Sequence, residues 1–280
     1  NAEQLLLRDQ YVEFADDNDE RIDLLETLGR ATFDRLTSTD LPGIADIADV
    51  LAPAADAGHL RFVAFDPDDG AFLDRIGTTG RLRTGDGDFV AVTNTNRIGG
   101  KLDLFLEREL AYDVEWDSTT GEVRAVLEVT LRNGSPSSGL PEYVIGNAFG
   151  AAGADIPLGT NRSVVSVFTP WLLDGEATLD GEPVFLTSRS YQGLVVHDTL
   201  IELAAGQTAV LRLPLAGTLQ GRYRLELRPQ LLAVPDVVDL TIDSDLTLAA
   251  DGLRSTGTTL RGRLALDAPR TIEVSIGSPR

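Results

Sequence analysis

Lys101 is the sole lysine of the chain, and it follows the pair Gly99-Gly100. A glycine-rich turn before a lysine is what a phosphate-cradling loop requires: open backbone N–H groups and an ammonium to meet the anion. Two positions exclude that loop. Residue 102 is leucine where the pattern needs Ser or Thr, and residue 95 is threonine where it needs its first glycine. The stretch therefore reads as a glycine-permitted bend. Lys101 then becomes a local ion-pairing or capping residue among Asp103, Glu107 and Glu109.

Other residues invite chemistry and are answered by simpler roles. Asp16-Asp-Asn-Asp-Glu20 and Asp66-Pro-Asp-Asp-Gly70 offer clustered carboxylates. Calcium needs several oxygens converging on one point. Neither cluster has the EF-hand spacing, and Gly77 stands where the second would need its terminal Glu. Helix capping and turn chemistry account for both. His59 and His197 are the two histidines and lie far apart, so a multi-histidine metal site is excluded. His197-Asp198 has no Gly-x-Ser-x-Gly partner and reads as a turn pair beside a strand. Asn133-Gly-Ser135 and Asn161-Arg-Ser163 match the glycosylation sequon. Trp171 is expected to pack at a strand end rather than to serve as a sugar platform. No catalytic residue, metal ligand or cofactor site emerges.

The elements that would position these residues divide in two. Residues 2–14 read as a helix. A second runs from Glu20 to Leu36 behind an acidic cap, with Ile22, Leu25, Leu28 and Phe33 on one face that should be buried. Ile44, Ile47, Val50 and Leu51 give a third helix. Leu60–Phe65 looks like a strand, and a short helix follows over Asp69–Ile76. From residue 88 the period becomes two. Leu110–Trp116 and Val123–Leu131 alternate around Asp117–Gly121, a hairpin signal. Residues 134–162 are Gly/Pro/Ser-rich and read as a long surface connection. More short strands follow, as an antiparallel sandwich would require.

Charge and composition limit the partners. The chain of 280 residues has 44 acids against 24 bases, a net charge of −20. That argues against a nucleic-acid backbone as partner and against docking on anionic lipid. Residues 1–90 carry net −12 and residues 246–280 net +2. No apolar run reaches a membrane span, so membrane attachment would come through an anchor outside this chain. There are no cysteines and therefore no disulfides. The absence of methionine and the Asn at position 1 read as a trimmed piece of a longer precursor.

The run Asp88-Phe-Val-Ala-Val-Thr-Asn-Thr-Asn-Arg-Ile-Gly-Gly-Lys-Leu-Asp-Leu-Phe-Leu-Glu-Arg108 resembles the actinobacterial family of unknown function DUF4012. Ala57-Gly-His-Leu-Arg61, Gly139-Leu-Pro-Glu-Tyr143 and Pro229-Gln230 extend the likeness over most of residues 1–245. The resemblance implies the latter part of a secreted or membrane-anchored cell-envelope protein and names no reaction. More distantly, Ala2–Arg8 with Asp19-Glu-Arg21 is similar to a helix of the LytR-CpsA-Psr glycopolymer transferases. That likeness implies Arg8 and Arg21 as anion ligands, although Leu24-Leu25 replaces the second Arg-Gln of the motif.

The expectation is an α+β chain: a helical/α-β portion over 1–105 that ends a larger domain, an antiparallel Ig-like β-sandwich over 106–245, and a β tail over 246–280. The expected role is a non-enzymatic extracytoplasmic protein at the cell surface. Its partner would be an envelope component or a protein chain, copies of itself included. A transferase-like enzyme or pseudo-enzyme and a surface filament or layer subunit are the alternatives.

Overall fold

The computed structural model describes residues 5–14, 17–38, 43–82, 85, 87–146 and 156–277; side chains 7, 8, 18, 36, 44, 45 and 48 lie outside the description. The chain is α+β, with helices before residue 76 and strands dominating after it. Helix α1 spans Asn18–Leu36, α2 Ile44–Asp56 and α3 Pro67–Arg75. Asp17 starts α1 by accepting the Glu20 N–H at 2.9 Å. Asp66 does the same for α3, whose first residue is a proline with no N–H to satisfy. Asp17 and Asp66, both from the acidic clusters, are therefore caps. The expected first helix is a π turn, Leu5–Asp9, continued by Gln10–Glu13.

Eleven longer strands follow: β1 Asp88–Asn96, β2 Leu106–Trp116, β3 Glu122–Asn133 and β4 Asn161–Thr169; β5 Thr187–Tyr191, β6 Leu194–Leu203, β7 Thr208–Thr218 and β8 Arg224–Arg228; then β9 Asp236–Ser244, β10 Thr259–Leu266 and β11 Arg270–Glu273. One sheet has the order β11-β8-β1-β4-β6-β5. The other runs from Arg254–Thr256 through β10-β9-β2-β3-β7 to two short strands. Their facing sides share one core, with Val90 and Val165 from the first sheet against Leu110, Leu127 and Val238 from the second.

Three expectations are corrected. The sheets are mixed rather than antiparallel, because β1 pairs in parallel with β8 and β2 with β9. The division at residue 105 cuts through the unit, since β1 lies at the middle of the first sheet. The tail over 246–280 is not a separate piece: β10 pairs with β9 and β11 with β8, one in each sheet. Topology explains why these pairings escape a local reading. Strands β1 to β4 visit the sheets in the order first, second, second, first, and β8 to β11 repeat it. The two sets abut along the parallel pairs, more than a hundred residues apart in sequence.

Two local readings also differ. Leu60–Phe65 forms no strand; Phe62 N–H reaches Thr78 O at 3.0 Å. The 134–162 connection is not all surface, because Val144 and Ile145, in the turn Glu142–Ile145, are fully buried with Ile98 and Leu102.

Candidate functional site

Four polar assemblies hold the residues that could act chemically. The first is sealed inside the fold. Arg108 on β2 is buried, and its guanidinium forks onto Asp236 of β9 at 2.9 and 2.6 Å. Its remaining nitrogen donates to Asn94 Oδ1 at 3.1 Å and Gln230 Oε1 at 3.3 Å. Gln230 also bridges the Asn94 backbone, accepting from N–H at 2.7 Å and donating to C=O at 2.9 Å. Nearby, Asn161 donates to Asp103 at 3.0 Å and Ser163 to Asn161 at 2.7 Å. Burial pushes the Asp236 and Asp103 carboxyls up, against the opposing pull of hydrogen bonds and of Arg108. A buried guanidinium needs this many acceptors to be tolerated. The network locks β1, β2 and β9 together.

The second assembly lies at the start of β1. Asp88 Oδ2 accepts from the Tyr112 hydroxyl at 2.8 Å and from the Tyr223 hydroxyl, and Oδ1 accepts from Phe89 N–H at 2.7 Å. Trp171 Nε1 donates to the Tyr112 oxygen at 3.2 Å. Burial pushes the Asp88 carboxyl up to about 6, and it holds both tyrosines well above their usual range. Trp171 is buried against Gly217, as expected of a packed strand-end residue.

The third is an acid–base pair that sequence did not connect. His197 sits within β6, not at a turn, and Ser188 faces it across β5. Ser188 Oγ lies 2.8 Å from Nδ1, and the Trp171 carbonyl lies 3.2 Å from Nε2. Burial lowers the imidazole's pKa. Asp198, its neighbour, points to the other face and pairs with Arg189 at 2.9 Å, so the sequence-adjacent dyad does not form. Neither Ser188 nor His197 lines any of the five clefts described.

The fourth assembly centres on Lys101. The expected partners are engaged elsewhere: Asp103 with Asn161, Glu107 with Arg132 and Glu109 with Arg263. The ammonium instead lies 5.2 Å from the Tyr11 ring centre and 5.8 Å from that of Tyr143. The two rings stack at 5.0 Å. Arg21, in the first turn of α1, places its guanidinium 5.0 and 5.9 Å from the same ring centres. The helix dipole disfavours a cation there, and aromatic faces offset that cost. Of the two arginines expected to hold an anion, Arg21 thus has a cationic neighbour. Arg8 lies in the π turn, and its side chain is outside the described residues. The glycine bend before Lys101 is real: Asn96 Oδ1 accepts the Ile98 and Gly99 N–H groups at 2.8 and 3.0 Å.

Among the described residues no cluster of three His, Cys, Asp or Glu side chains could hold a metal, and no helix is long and apolar enough to cross a membrane. Both sequon asparagines are buried and hydrogen-bonded; Asn133 Nδ2 reaches Gly159 O at 2.7 Å and Leu203 O at 2.9 Å.

No family model matches the chain, and no curated protein matches it. Solved structures of partly similar shape include a provisionally assigned nutrient-binding protein from Legionella pneumophila. It is 6% identical with a TM-score of 0.38, over 67% of this chain and 72% of that one. Yeast LTA4 hydrolase is 10% identical at 0.33, over 60% and 28%. An M1 zinc metallopeptidase from Deinococcus radiodurans is 14% identical at 0.29, over 60% and 42%. The chain spans less than half the length of these two enzymes. At such scores the likenesses carry neither a fold name nor an activity.

Proposed function

We propose that this chain is a non-enzymatic extracytoplasmic protein of the cell envelope that binds or organises partners through its helical portion. One observation carries the partner-binding part. Apolar side chains of the helical portion are bare: Phe33 on α1 is 64% exposed and Val50 on α2 73%, while Val63 and Phe65, in the segment between α2 and α3, are 82% and 101% exposed. Large apolar side chains left in water favour contact with a partner that covers them. The polar assemblies inside the two sheets tie strands together. The envelope address and the DUF4012 relationship rest on the signature run Asp88–Arg108. The Ig-like part of the reading rests on the β2–β3 hairpin and its inward alternation, not on strand order.

The test combines accessibility with capture. Producing cells are treated with a protease that cannot enter them, and tagged chain is then recovered as wild type and as the Phe33→Glu/Phe65→Glu variant. The reading expects surface cleavage, and a partner or second copy recovered with wild type and lost from the variant. Protection of the chain sinks the address; identical recoveries sink the docking role.

The transferase-like alternative retains Arg21 as its one described ligand. It would gain support if a polyprenyl pyrophosphate analogue bound wild type but not Arg21→Ala in calorimetry. The filament alternative drew on a tail free to pair with a neighbour, and that tail is committed to its own sheets.

A further inference from the structure

We propose that Ser188 is a nucleophilic modification site, with His197 as its general base, that accepts the acyl group of a small activated ester or thioester. It makes the chain an acceptor of a group rather than a catalyst. The site uses no residue of the apolar helical surface, so it stands or falls separately from the partner-binding reading.

The first reason is where the imidazole carries its proton. The Trp171 carbonyl lies 3.2 Å from Nε2. A carbonyl oxygen only accepts, so Nε2 holds the hydrogen and Nδ1 of the neutral ring holds the lone pair. Ser188 Oγ lies 2.8 Å from that nitrogen, and its hydroxyl is therefore the donor. Register fixes the approach. Ser188 stands directly opposite His197 in the β5–β6 pair, where facing Cβ atoms are about 4.5–5.5 Å apart. The ring is 1% exposed and packed in place.

The second reason is that the base is buried and the nucleophile is open. Burial lowers the imidazole's pKa, against the pull of the Trp171 carbonyl and of Asp198. Asp198 on β6 and Arg189 on β5, the charged groups beside the ring, pair with each other at 2.9 Å. The ring is thus neutral near pH 7 and ready to take a proton. Ser188, by contrast, is exposed on the strand that ends the first sheet. A small donor reaches it from solvent without entering a cleft.

The third reason is contrast with the other serines. Where their hydroxyls donate among the described hydrogen bonds, they donate to oxygen: Ser118 to Asp245, Ser163 to Asn161, Ser255 to the Leu248 carbonyl. Amide and carboxylate oxygens are too weakly basic to activate an alcohol at neutral pH. Ser188 faces a nitrogen base instead.

The step balances. As Oγ attacks the acyl carbon, the new C–O bond forms and the hydroxyl proton passes to Nδ1. Nε2–H stays on the Trp171 carbonyl and steadies the imidazolium. The addition product collapses by breaking its bond to the leaving sulfur or oxygen, which takes the proton from Nδ1. An O-acyl serine and a free thiol or alcohol result, with no oxidant or reductant.

The full chain is treated with a fluorophosphonate, whose P–F bond an activated hydroxyl displaces to leave a stable ester, and peptide mass spectrometry reads site and rate. Ser188 should be labelled and Ser190, two positions along the same strand, should not. The rate should rise as the imidazole loses its proton and level off by about pH 7, because burial keeps the ring below its ordinary 6.5. In His197→Gln it should fall about a hundredfold, with the thermal midpoint reporting whether that variant is folded; if it is not, the wild-type pH profile decides. Nitrophenolate release from p-nitrophenyl acetate should drop in Ser188→Ala, which tests the acyl class. Equal labelling of Ser188 and Ser190, or none at either, overturns the proposal. So does a rate that climbs in proportion to hydroxide through pH 7, or nitrophenolate release from Ser188→Ala that matches wild type.

Discussion

Asp88 makes an acid sit where a hydrophobic residue would normally stand. Its carboxyl titrates near 6 in the folded chain and near 3.8 when unfolded. The folded state therefore favours the proton, and the stability this gives is complete below about pH 4. It is lost as pH rises through 6, to a total of about 3 kcal/mol. Asp103 and Asp236 are raised too and act in the same direction. His197 is lowered and acts oppositely, losing its contribution as pH falls below its ordinary 6.5. Subtracting the stability profile of Asp88→Asn from that of wild type isolates the first effect. Urea unfolding from pH 4 to 7 should show the difference falling over that window, and a flat difference contradicts the buried carboxylate. At Arg108 the expectation is a larger loss. Arg108→Met strands the buried Asp236 and should cost about 3–5 kcal/mol, while Arg108→Met with Asp236→Leu should recover most of it. The same urea measurement decides between them.

The elements show how far the sequence could be read. Hairpin β2–β3 was legible because its pattern is local: inward Leu110, Tyr112 and Val114 alternate with acids around a glycine turn. The caps at Asp17 and Asp66 were legible for the same reason. The parallel pairs were not, since nothing near β1 indicates that Leu225 will lie beside Asp88. The site was split similarly. Arg21 and Lys101 were each marked, but the Tyr11–Tyr143 stack that joins them is a tertiary contact. Ser188 was missed because a lone serine in a polar strand carries no signal until its register with His197 is known. Gly100 gives a test at this scale. Gly100→Ala drives a Cβ into backbone oxygens of the turn that carries Tyr143. It should cost about 1–3 kcal/mol. Thermal unfolding checks it, and an unchanged midpoint contradicts the close approach.

The whole molecule combines a cohesive double sheet with helices whose apolar faces find little cover. In the double sheet the last strands close both layers, so residues 259–273 belong to the core as much as β1 does. Truncation before Thr259 should therefore abolish cooperative unfolding by calorimetry rather than trim an appendage. The bare apolar side chains of the helical portion make the opposite prediction. Phe33→Ser, Val63→Ser and Phe65→Ser together remove apolar surface that is already in water, so the thermal midpoint should stay within about 2 °C. A fall well beyond that would mean these side chains are packed within the chain.

The claim that those faces exist for a partner is tested most directly by site-specific photo-crosslinking in producing cells. A photoreactive residue is placed at Phe65 and, as a control, at Arg212 on the outer face of the double sheet. The account predicts a discrete adduct with an envelope protein or a second copy from position 65 and none from position 212. No adduct at 65, or the same adducts from both positions, would contradict it.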